Sequence, residues 1–147
     1  MTLLRRPLLA VITFGRMVKF SHTVFALPFA LAAVTLAAHG HGVTVAQIAA
    51  IVLAMVGART AAMGFNRILD RHLDAANPRT AGRELPTGKV SLPAAATLTA
   101  ASAALFLAAA AWLGPLCLRL APVVLALVLG YSFTKRFTWL CHLFLGL

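Results

Sequence analysis

Acidic residues are the scarcest charged class in this chain: Asp and Glu number 3 against 13 Lys and Arg, a formal net charge of +10. Charged residues of either sign make up 11% of the sequence, where a soluble domain carries about a quarter. A water-soluble globule is thereby excluded as the starting class. Cysteine is nearly absent too, and Cys117 and Cys141 each lie in an apolar run without the paired spacing of a zinc site or redox motif. Both read as packing residues. No Asp, Glu, Lys or Arg occurs from Phe20 to Ala58 or from Val90 to Leu118, and about 20 apolar residues suffice to cross the hydrocarbon of a bilayer. The basic excess therefore belongs to an integral membrane protein, with the lipid bilayer as its partner and no nucleic acid expected. The first apolar stretch carries Lys19 and His22 near its start and offers no clear small-residue cleavage site, so the N-terminus is expected to stay attached.

What the chain has instead is a succession of long apolar runs. A basic lead-in with Arg5, Arg6, Arg16 and Lys19 precedes a first span, about 20–38, in which Pro28 is an expected kink. His39-Gly40-His41-Gly42 forms a tight polar turn. A second span, about 43–65, is interrupted only by Arg59 and leads into 66–91, the one long hydrophilic segment. The third span, 92–113, is Ala-rich; Gly114-Pro115 breaks it, and 116–134 makes a fourth if Arg119 snorkels to the interface. The last 11 residues, 137–147, start another apolar segment of about half the length a crossing needs. The expected fold is all-α, a multi-pass transmembrane helix bundle of four complete spans plus the start of a fifth. With the N-terminus in the cytoplasm, Arg5, Arg6, Arg16, Lys19, Arg67, Arg71, Arg79, Arg83, Lys89, Lys135 and Arg136 share that side and Arg119 alone lies opposite, as the positive-inside rule requires.

All three acidic residues fall in 66–91. Asn66, Asp70 and Asp74 are spaced i, i+4, i+8, so a continuing helix would stack three oxygen-bearing side chains on one face where lipid gives way to water. Hard cations favour such ligands, and Mg²⁺ is commonly held by one or two carboxylates with phosphate oxygens and water completing the octahedron. Arg67, Arg71, Arg79, Arg83 and Lys89 supply positive charge suited to a diphosphate. The alternative is that Asp70 and Asp74 merely pair with these arginines on a solvated loop helix. Arg59 lies two turns deeper than Asn66 on the same face; either it faces a polar cavity or it snorkels. Gly82 and Gly88-Lys89 do not make a phosphate loop, since Val90 stands where Ser or Thr is needed. Tyr131 and Lys135, one turn apart at the end of the fourth span, are either a second inward pair or interface anchors. His72, two residues from Asp70, points off the carboxylate face.

Asn66-x-x-x-Asp70-x-x-x-Asp74 after a span, a basic loop running through Asn77-Pro78-Arg79-Thr80-Ala81-Gly82-Arg83, and Tyr131-x-x-x-Lys135 ending the fourth helix together resemble the UbiA family of intramembrane aromatic prenyltransferases. The match is nearest to the 4-hydroxybenzoate polyprenyltransferase branch or a menaquinone-pathway relative. The resemblance implies an enzyme of quinone biosynthesis in the inner membrane, with the N-terminus and the 66–91 loop cytoplasmic. It implies that Asn66, Asp70 and Asp74 hold Mg²⁺ on a polyprenyl diphosphate, that Arg79 and Lys135 bind its phosphates, and that Tyr131 faces the forming carbocation. Arg59, by its position, is the candidate to orient the aromatic acid acceptor. The family has about nine membrane helices and a second aspartate-rich motif, and no acidic residue follows Glu84 here. The expectation is thus the N-terminal half of the family fold, truncated, with half of a two-metal site, missing a C-terminal half and weak or inactive alone. Two rivals stay open: transfer to a dihydroxynaphthoate or haem precursor, and a non-enzymatic small basic membrane protein of assembly or transport.

Overall fold

The computed structural model describes residues 5–19, 27–38 and 42–137. Among them there are helices and turns and no strand: α1 (Arg5–Met17), α2 (Leu27–Ala37), α3 (Val45–Ala76), α4 (Leu92–Leu113) and α5 (Pro115–Phe137). Three of these, α3, α4 and α5, are long and apolar enough to cross a membrane. Of the first expected span, 20–26 lies outside the described residues, and with it what precedes Pro28, so the expected kink falls at the edge of the described part; within it, the 11-residue α2 is helical. The segment 138–147 also lies outside them. The span at 92–113 matches α4 residue for residue, and the fourth is extended slightly by α5.

The second span departs from expectation in its length. α3 does not stop at Phe65 but runs unbroken for 32 residues, about 48 Å at 1.5 Å per residue, against about 30 Å of hydrocarbon. Its start is secured by a capping box: the Gln47 backbone N–H donates to Thr44 Oγ1 (3.2 Å) and the Thr44 N–H donates to Gln47 Oε1 (2.8 Å). Arg, Leu and Ala beyond Phe65 sustain the helix, and it ends only at Asn77, because Pro78 forces the residue before it out of the helical region. The irregular part of the hydrophilic segment is therefore 77–91. Its turns are internally bonded, Arg83 N–H to the Thr80 carbonyl and Val90 N–H to the Glu84 carbonyl, each at 3.1 Å. Ser91 then caps α4 by accepting from the Ala94 N–H at 3.3 Å.

α3 and α4 form the tightest pairing of the bundle. Small residues on α3, Ala50, Gly57, Ala61 and Gly64, are buried at helical spacing, as are Ala95, Ser102 and Ala109 on α4. A methyl group on Gly57 would stand 2.9 Å from both the Phe106 nitrogen and the Ser102 carbonyl oxygen, and one on Gly64 would collide with Thr99. Lipid tails are as apolar as leucine, so close backbone approach of this kind, rather than hydrophobic exclusion, holds such helices together. α5 returns beside α3, where Phe65 and Phe133 meet edge to face at 5.6 Å between ring centres. Large apolar side chains, Leu120 and Leu127 of α5 among them, are exposed.

The basic lead-in has more structure than its sequence suggested. α1 ends where Lys19 takes a left-handed φ of 49°. Met17 and Val18 form an apolar cluster with Val90 and Ala95, flanked by Phe14, Met63 and Leu85. This cluster seats the end of α1 against α3, the 77–91 turns and the start of α4. Gly57→Ala is expected to destabilise the bundle by about 1–3 kcal/mol, because overpacking a closed helix contact forces backbone movement. Gly130→Ala in α5, where an added methyl meets nothing within 4 Å, is expected to be neutral. Thermal unfolding of both variants in detergent checks this, and equal melting points would contradict the packing account.

Candidate functional site

Of the cavities along α3, one of about 400 Å³ against α4 has only apolar walls, and two others carry polar side chains. The outer one, about 620 Å³, is lined by Asp70, Asp74, Asn77, Arg79, Thr80 and Arg83. The inner one, about 590 Å³, lies between α3 and α5 and brings Arg59, Asn66, Tyr131 and Ser132 together with apolar walls that include Met55 and Val128. Six of the seven residues singled out from the sequence thus line one cavity or the other. Asn66 lies with the inner group, its Nδ2 donating to Ser132 Oγ at 3.4 Å, whereas the two carboxylates face the outer one. The division follows from helical drift: eight residues advance 800°, so Asp74 is rotated about 80° from Asn66 around the axis. Lys135 lies in α5 one turn beyond Tyr131, and its side chain lies outside the described residues. His72 is exposed, off the carboxylate face as its spacing required.

Asp74 is the most elaborately held of these groups. Its side chain is 8% exposed, and Oδ1 accepts from Arg83 Nη1 at 2.6 Å. Arg67 Nη1 stands 3.9 Å from Oδ2. That oxygen is buried and accepts no hydrogen bond among the described residues. The Asp74 main-chain carbonyl accepts from Thr80 Oγ1 at 3.1 Å, which ties the following turn back onto the helix end. Asn77 Oδ1 shapes the same turn by accepting from the Arg79 N–H at 3.0 Å. Arg67 is itself buried, donating Nε–H to the Met17 carbonyl at 3.2 Å, and it lies between Arg83, which repels it, and Asp74, Glu84 and Asp70, which attract it. The arginine pairing weighed for Asp74 is therefore real, but it occurs in a buried network lining a cavity rather than on a solvated helix.

Sequence reasoning treated Arg67 and Arg83 only as members of a basic loop. Arg67 had a signal that went unused: it is seven residues from Asp74, the same two-turn spacing that aligned Arg59 with Asn66. Arg83 and Ser132 had none, since one depends on how the 77–91 turns fold back and the other on how α5 docks. Arg59 carries the other unsatisfied atom of the site, a buried Nε with no acceptor among the described residues. Arg59 itself is half-buried, and it stands at the wall of the inner cavity.

Residues 26–147 match the model of the UbiA prenyltransferase family, and the chain belongs to that family. It is 35% identical over 95 residues to a 4-hydroxybenzoate octaprenyltransferase of Shewanella woodyi, covering 65% of this chain and 33% of that one. A protein of the same name from Coxiella burnetii is 38% identical over 102 residues, covering 69% and 36%. Among solved structures, the apo form of a UbiA homologue from Aeropyrum pernix K1 superposes with a TM-score of 0.80 at 44% identity, over 86% of this chain and 45% of that one. The chain thus spans about a third of the length of the curated relatives it matches. Together with the three long apolar helices, family membership makes this a multi-pass membrane protein.

Because Arg67 links the end of α1 to the end of α3, replacing it should loosen α1 selectively. Arg67→Met removes a charge-assisted hydrogen bond worth about 1.5–3 kcal/mol. Amide hydrogen exchange in α1 is expected to accelerate by about tenfold or more, with the interior of α4 unchanged. Unaltered exchange in α1 would show that the Met17 contact does not anchor it.

Proposed function

We propose that this chain carries the diphosphate-binding part of an aromatic prenyltransferase, which joins a polyprenyl group from its diphosphate to an aromatic acid, 4-hydroxybenzoate, in quinone biosynthesis at the inner membrane. The N-terminus and the 77–91 turns face the cytoplasm in this reading. The observation that carries it is that one helix, α3, lines both a polar mouth with two carboxylates and two arginines and a largely apolar inner cavity with the half-buried Arg59, whose buried Nε has no acceptor among the described residues. A diphosphate suits the first, and a benzoate ring with its carboxylate suits the second. The names of the curated relatives support the acceptor, and membership of the family supports an enzyme over a basic scaffold of assembly or transport.

Among the described residues no three His, Cys, Asp or Glu side chains converge, so there is no all-protein cage. Two carboxylates one turn apart, one with a buried oxygen that lacks a hydrogen bond, nevertheless fit a Mg²⁺ completed by substrate oxygens and water. Asp70 and Asp74 would hold it; Asn66 lines the inner cavity with its amide on Ser132, and would join the ligand set only by turning from that group. Bound there, the ion would stabilise the charge that develops on the departing diphosphate.

The remaining chemistry belongs to side chains of this protein. Arg79, Arg83 and Lys135 offset the diphosphate's negative charge as the prenyl C1–O bond breaks. Arg59 pairs with the acceptor's carboxylate and so presents the ring to the allylic carbon. Met55, Val124 and Val128 keep water from the cation, and the face of Tyr131 stabilises it. The electron-rich ring forms the new C–C bond and then releases its proton, which restores aromaticity.

Tryptic cleavage reports occupancy, since Arg79, Arg83 and Lys89 all lie in or beside the 77–91 turns. Mg²⁺ with farnesyl diphosphate is expected to slow cleavage there by about tenfold, a typical ligand-linked stabilisation. Asp70→Asn and Asp74→Asn should abolish that protection; equal protection in these variants would remove the carboxylates from the site. Arg59→Met should weaken 4-hydroxybenzoate binding by about tenfold or more while leaving farnesyl diphosphate binding intact. Titration calorimetry in detergent measures both, and an unchanged benzoate affinity would rule out Arg59 as its anchor.

A further inference from the structure

The two guanidiniums at Asp74 are not equivalent. Arg67 is 7% exposed and committed at its other end to the Met17 carbonyl. Arg83 makes one contact with the carboxylate, Nη1 to Oδ1 at 2.6 Å, and its side chain is 30% exposed at the wall of the outer cavity. The Arg83 backbone is fixed nevertheless. Thr80, three residues earlier, is bonded to the end of α3, and the Arg83 carbonyl accepts from Thr87 Oγ1 at 2.7 Å. Arg83 can leave Asp74 by a rotamer change alone, without movement of the turns that carry it.

Two demands on this pair conflict. A cation at Asp74 competes with the Arg83 guanidinium for the same carboxylate, since like charges crowded together raise the energy of both. A diphosphate in the outer cavity, carrying more negative charge than one carboxylate, competes with Asp74 for Arg83. Resting on the reading of this cavity as a diphosphate site, we propose that Arg83 is an exchangeable guard: it neutralises Asp74 in the empty chain and passes to the diphosphate on binding, which frees the carboxylate for a divalent cation. Arg83 is thus a positioning residue that couples the two ligands, and thermodynamic reciprocity requires each to strengthen the other. The cation site is suppressed until the diphosphate is present, so the metal is recruited with substrate rather than stored beforehand.

The guard has a signature that a merely structural role lacks, because removing it should move two affinities in opposite directions. Mn²⁺ binding, followed by electron paramagnetic resonance without diphosphate, is expected to tighten about tenfold in Arg83→Gln, within the usual range of ligand coupling. Farnesyl diphosphate binding, measured separately in EDTA, is expected to weaken by about as much. Arg83→Lys should restore wild-type behaviour in both, since a single N···O contact does not need the planar guanidinium fork. Asp74→Asn should lose Mn²⁺. If Arg83→Gln binds Mn²⁺ no more tightly while Asp74→Asn loses it, the guard is wrong and the metal site stands. If Mn²⁺ tightens but diphosphate binding is unaffected, Arg83 does not pass to the diphosphate and the exchange is overturned. If Asp74→Asn binds Mn²⁺ as the wild type does, the site reading falls and the guard with it.

Discussion

A buried carboxylate is tolerated only where positive charge and hydrogen-bond donors surround it, and Asp74 draws on three separate parts of the chain while one of its oxygens still lacks a donor among the described residues. Arg83 comes from the turns after α3, Thr80 bonds the main chain at the helix end, and Arg67 stands behind on the same helix, fixed by the last residue of α1. Each of these groups is positioned by what it does for another. The outer cavity is consequently a product of docking: without α1 there is no acceptor for Arg67 Nε, and without the Thr80 bond the turns carrying Arg79 and Arg83 have no fixed relation to the carboxylates.

The continuity of α3 is what allows one element to serve lipid and water in turn. Ala50, Gly57, Ala61 and Gly64 make one buried stripe, where close approach to α4 is all that is required; Arg67, Asp70 and Asp74 are buried farther along on another face, turned by roughly 100° at about 100° per residue. The change in chemistry, and of face, comes where about 48 Å of helix outruns about 30 Å of hydrocarbon. Arg59 is the exception, a charge within the span. Its position toward the α3–α5 cavity, rather than toward lipid, is the arrangement under which such a residue is tolerated.

Much of this was legible in one dimension. The charge-free runs marked α3, α4 and α5, and Gly114-Pro115 marked the break between the last two, because hydropathy and helix breakers act locally. The i, i+4, i+8 spacing of Asn66, Asp70 and Asp74 held since the helix did continue. Its limit was angular: three residues at four-residue steps drift round the axis, and that drift distributes them over two cavities. The basic lead-in was read by charge alone, so the apolar face of α1 formed by Phe14 and Met17 was overlooked.

The sequence by itself determined the class of the molecule, the helices long and apolar enough to cross a membrane, and the helix that carries two carboxylates and an amide, since each depends on residues within a few turns of one another. Only the tertiary structure decided which arginines meet Asp74, that Ser132 faces Asn66, and that Arg59 opens into a cavity. Those relations join positions separated by a turn region or an entire helix, and their geometry is set by how α1, α4 and α5 pack against α3, for which no local pattern of residues carries the distance.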